Sequence, residues 1–84
     1  MKILLKLDSS LFTNEQNQEL YDSMIEIEWE LPFIPNKKDL FDFDSIVDEK
    51  KWPKFYNGLS WSVEFINYTK VDNILIPILW LRGE

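Results

Sequence analysis

The feature that most constrains this chain is its C-terminal stretch, Leu59 to Arg82. It holds two long apolar runs separated by Lys70-Val71-Asp72-Asn73, a polar turn sequence. The second run, Ile74 to Leu81, has no polar side chain at all. Such a run predicts a strand covered on both faces. Pro77 stands inside it, and proline cannot donate to a ladder, so it favours a sheet edge or a bulge. A subunit interface over one face would reconcile the two signals. The first run changes face midway. Leu59, Trp61, Val63 and Phe65 share one side, whereas Ile66 and Tyr68 take the other. A bulge near Phe65-Ile66, or cover on both sides, is expected.

Upstream segments must pack on this hairpin. Ile3, Leu5 and Leu7 alternate with Lys2, Leu4 and Lys6, which predicts a first strand over residues 2–7. Thr13, with Gln16 three residues on, matches a capping box. It predicts one short helix over about residues 14–23. Ile25, Ile27, Trp29 and Leu31 alternate with Glu26, Glu28 and Glu30 until Pro32, a third period-two strand pattern. Three glutamates on one sheet face need an answering charge. Antiparallel pairing with the first strand would set Lys2 beside Glu30 and Lys6 beside Glu26, although a parallel crossover would also place lysine beside glutamate. Asp39 to Phe43 predicts a short strand with Leu40 opposed to Phe41 and Phe43. Ser45 could cap a helical turn, and Pro53 stops any helix before it. The predicted fold is therefore mainly β (α+β). It is one domain over residues 1–84, an antiparallel sheet of about five strands, strongly curled or small-barrel-like, with one short helix. The Pro35–Leu40 entry, Pro-x-x-x-Asp-Leu ahead of two long strands, resembles the strand entry of small SH3-like barrels. Lys38 stands where such entries usually carry glycine.

Composition narrows function mostly by exclusion. The 84 residues contain no Cys and no His. Thiolate chemistry, a disulfide framework and sulfur-ligated metals are out, as is the commonest general base. A reducing, cytoplasmic setting is compatible. The net charge of −6 argues against nucleic acid or anionic lipid as a partner. No run approaches the ~20 apolar residues of a membrane-spanning helix. An EF-hand loop begun at Asp42 fails, because the sixth position is Val47 and the twelfth is Pro53. No Gly-x-Ser-x-Gly turn or glycine-rich phosphate loop is present. No catalytic residue, cofactor site or metal site is expected.

What remains is apolar surface. Four Trp, six Phe and three Tyr are a heavy aromatic load for a chain of this size. Such an excess points to a protein partner or to self-association. The candidate interaction surface comprises Trp52, Phe55, Tyr56, Ile66, Tyr68, Leu75, Pro77, Leu79 and Leu81. A candidate acidic face comprises Glu26, Glu28, Glu30, Asp42 and Asp44, suited to a basic partner. The expected function is a non-catalytic protein-interaction or oligomerising module. The alternative is a small nucleic-acid- or ligand-binding barrel, with Lys50, Lys51 and Lys54 interleaved among Trp52, Phe55 and Tyr56.

Overall fold

A computed structural model describes all the residues, Met1–Glu84. Strand β1 (Lys2–Ser9) leads through helix α1 (Asn14–Tyr21) to β2 (Ile25–Glu28). A brief β3 (Leu40–Phe41), a helical turn α2 (Phe43–Ile46) and a 3-10 turn (Glu49–Lys51) follow. The hairpin of β4 (Trp61–Val71) and β5 (Ile74–Gly83) completes the chain. The five strands form one mixed sheet in the order β2-β1-β5-β4-β3, curled into a half-barrel. The rings of Trp29, just beyond β2, and Phe41, on β3, stack at 6.2 Å between centroids, so side chains bridge the two outer strands of the curl.

The sheet departs from an all-antiparallel one at a single interface. β1 runs parallel to β5, with Leu4 beside Ile78 through Ser9 beside Gly83. Side chains favour this register. Asp8 lies beside Arg82 and bonds it at 2.7 Å. The buried Ser9 hydroxyl donates to the Gly83 carbonyl at 2.8 Å. β1 meets β2 antiparallel, two residues out of the expected register: Lys2 pairs with Glu28 and Ile3 with Ile27. A shift of two keeps every side chain on its face. Two of the three glutamates are still answered, Glu26 by Lys2 at 3.4 Å and Glu28 by the N-terminal ammonium at 4.0 Å.

Helix α1 ends two residues short of the expected Ser23. Its capping box is formed as the sequence implies, with Gln16 N–H donating to the Thr13 hydroxyl and Thr13 N–H to the Gln16 side chain. The helix flanks the part of β1 that β2 leaves open. Asn17 imitates a strand neighbour there: its amide donates to Ser9 C=O at 2.8 Å and accepts from Ser9 N–H at 3.3 Å. Leu20 drops into the core.

The strand expected over Asp39–Phe43 is only two residues long, because Phe43 already begins α2. The expected alternation still holds, with Phe41 and Phe43 buried and Leu40 exposed. Asp48, not Ser45, makes a cap, accepting from Lys50 N–H at the 3-10 turn. Lys38 adopts φ 76°, the left-handed conformation that glycine takes at no steric cost.

The inner face of the curl gathers Ile3, Leu5, Leu7, Ile27, Phe41, Phe43, Trp61, Val63, Leu79 and Leu81 with Leu20 and Val47. A second, smaller cluster of Leu4, Ile76 and Ile78 lies apart from it, with Trp80 against it. This accounts for the doubly apolar β5: it is central, and both its faces carry apolar neighbours.

Candidate interaction surface

Pro77 marks where β5 passes from edge to centre. Ser60 and Glu84 exchange backbone hydrogen bonds at 3.0 and 2.9 Å. Counted back by twos, Arg82, Trp80, Ile78 and Ile76 turn their peptide groups toward β4. Leu81, Leu79 and Pro77 turn theirs toward β1. Pairing with β1 begins only at Ile78, so the donor that Pro77 lacks falls where the ladder with β1 ends. Beyond it the hairpin stands out from the sheet as two strands. Its turn, Asp72-Asn73, has φ of 51° and 66°, the type I′ form that suits a two-residue hairpin.

β4 is open along most of its outer edge. β3 pairs only with Trp61 and Ser62, and its lead-in adds bonds from Lys38 N–H to Val63 C=O and from Val63 N–H to Asp39 C=O. Past Val63, the backbone of β4 bonds only with β5. A bulge falls at Glu64, one residue before the expected place, and moves Phe65 outward while Ile66 stays on the core side. Phe65 stacks on Trp80 at 4.9 Å, and Trp80 donates to Asn67 at 2.8 Å. Phe65, Tyr68, Val71, Ile74 and Leu75 are exposed by 44 to 66%.

The predicted surface residues divide into three groups. Tyr68 and Leu75 lie on the exposed hairpin, with Ile66 half-buried beside them. Pro77, Leu79 and Leu81 are buried and offer nothing to a partner. They were candidates because an apolar run shows no inside or outside; β1 and the curl supply the cover.

Trp52, Phe55 and Tyr56 belong to an aromatic plug against the core. Trp52 stacks on Tyr56 at 5.1 Å, Phe43 sits 5.0 Å from Tyr56, and Phe12 meets Phe55 edge-on at 5.2 Å. The Tyr56 hydroxyl is the polar hub: it donates to Asp44 and accepts from Trp61 Nε1 at 3.1 Å and Leu59 N–H at 3.2 Å. Burial first, and the Asp44 carboxylate second, raise its pKa above the usual 10.0. Trp52 donates to the Val47 carbonyl at 2.9 Å. These rings are half-buried and pack on one another and on the core.

The acids fall into two groups in the chain. Glu26 and Glu28 lie on β2 and Glu30 just beyond it, while Asp42 and Asp44 belong to the α2 turn that follows β3. No group of three acids is placed to hold a metal ion.

Sequence reasoning missed the cluster on the outer side of β5. Tyr21 leans on Trp80 at 6.3 Å, and the Lys6 ammonium lies 5.0 Å from the Tyr21 ring and 5.8 Å from that of Trp80. An open cleft of about 590 Å³ borders these rings between α1 and β4. The parallel pairing of Lys6 with Trp80 creates it, and no local pattern announces that pairing. No helix is long and apolar enough to cross a membrane. Comparison of the chain with protein-family models, with curated proteins and with solved structures finds no match.

Proposed function

We propose that this chain is a non-catalytic interaction module of the cytoplasm that docks another protein chain along the β4–β5 hairpin. The observation that carries it is the open edge of β4 from Phe65 to Val71, flanked by exposed Phe65, Tyr68, Val71, Ile74 and Leu75. Native sheets normally pair, cover or charge such an edge, because it invites a further strand. Here Lys70 is the only basic residue along it. Exposed apolar side chains grouped in this way mark contact surfaces. The absence of His and Cys gives no support to catalysis.

Amide exchange tests the proposal. The amides of Ile66, Tyr68 and Lys70 face away from β5, and those of Asn67 and Thr69 face it. In isotope-labelled protein, concentrated alone or placed in host-cell extract, the outward set should become protected. If the outward amides exchange freely under every condition while the inward set stays protected, the proposal fails.

A further inference from the structure

The open edge of β4 is complementary to itself. It is bounded at one end by Val63, whose N–H and C=O are already bonded to Asp39 and Lys38. At the other end stands the Asp72-Asn73 turn. The bulge at Glu64 leaves Phe65 to Val71 as the regular part, and Tyr68 is its midpoint. Thr69 pairs with Ile76 and Asn67 with Ile78, both on the hydrogen-bonding side of β5, so Ile66, Tyr68 and Lys70 direct their peptide groups outward.

We infer that the occupant of this edge is a second copy of the chain, β4 against β4, antiparallel about a two-fold axis at Tyr68. This rests on the interaction module proposed above and names its partner. The register sets Tyr68 opposite itself and Ile66 opposite Lys70, so every outward N–H and C=O of the edge finds a partner. On the other face it sets Phe65 opposite Val71 and Asn67 opposite Thr69, apolar against apolar and polar against polar. Phe65, Tyr68 and Val71, exposed by 44, 59 and 44%, are all covered.

Neighbouring registers lose this match. An axis at Asn67 drives Val71 against Val63, whose edge is taken. An axis at Thr69 sets Phe65 and Ile66 against the turn. The cost of the Tyr68 axis is that Glu64 and Asp72, both exposed and both acidic, meet at the ends of the ladder. There water screens them, outside the paired residues. A C2 contact of this kind is closed, so it yields a dimer joined through one continuous sheet rather than a fibre.

Single cysteines read the register directly, because the chain has none of its own. In the inferred dimer Asn67 faces Thr69 in a non-hydrogen-bonded pair, about 4.5 Å between Cα atoms. That is within disulfide reach. Asn67 and its own copy lie roughly 7–8 Å apart on the diagonal, beyond it. Under mild oxidation, a mixture of Asn67→Cys and Thr69→Cys proteins should give a disulfide-linked dimer that neither protein gives alone. Cross-linking of Asn67→Cys alone would place the axis at Asn67, and cross-linking of Thr69→Cys alone would place it at Thr69; either overturns the inference. Wild-type protein monomeric by light scattering at every concentration overturns self-pairing as well. If the outward amides of that monomer are then protected only in host extract, the interaction module survives with a different partner.

Discussion

Single atoms decide several outcomes in this fold. Gly83 pairs with Trp61, and a Cβ built on it would lie 2.8 and 2.9 Å from carbons of the Trp61 ring and 3.0 Å from Leu59 Cδ1. The ring is 2% exposed and held by the aromatic plug, so it has nowhere to move. Gly83→Ala should destabilise by about 1–3 kcal/mol, as overpacking does, and a thermal melt would read it. Tyr56 works through its hydroxyl. Tyr56→Phe leaves Trp61 Nε1 and Leu59 N–H without their acceptor and should cost about 1–2 kcal/mol. The folded pKa lies above the unfolded value of 10.0, so the phenol's contribution is complete below pH 10 and fades as pH rises through the folded pKa. The stability gap between wild type and Tyr56→Phe should therefore be flat up to about pH 10 and shrink above it, which denaturant titrations across alkaline pH would show.

At the scale of the element, α1 shows how much a short polar helix depends on its ends. Only Leu20 is buried, so the capping box and the Asn17 contact to Ser9 carry a large share of its placement. Thr13→Ala should cost about 1 kcal/mol. Its signature in amide exchange should be faster opening of residues 14–17 and of the Ser9 end of β1 before the hairpin responds. The cap was legible from Thr13 and Gln16 alone, since both partners lie within one turn. The Asn17 bond was not, because it needs β1 to outrun β2. The hairpin divides in the same way. The turn and the approximate bulge followed from composition and the change of face, whereas the open edge of β4 follows from β3 beginning only at Leu40, with its lead-in reaching no further along β4 than Val63.

For the whole molecule, charge and edge act in opposite senses. A net charge of −6 makes two copies repel, while the inferred contact is made of backbone bonds and apolar side chains. Salt should therefore strengthen self-association by screening the repulsion. Sedimentation at about 0.05 and 0.5 M salt would show it, since the Debye length falls severalfold over that range. Weakening with salt is instead what a contact between opposite charges, or to nucleic acid, would give. Of the candidate surface, Tyr68 and Leu75 stayed outside, while Leu79 and Leu81 went to the core and Trp52, Phe55 and Tyr56 into the plug. By itself the sequence determined where the strand-forming segments lie, which side of β1 and β2 faces the core, where the helix begins and where the hairpin turns. Those depend on neighbours a few positions away, through pleat, cap and turn geometry. Only the tertiary structure decided that β1 lies parallel to β5, that Pro77 sits where pairing begins, and that β4 is left open. Those depend on which distant surfaces bury one another best, and no local period carries that information.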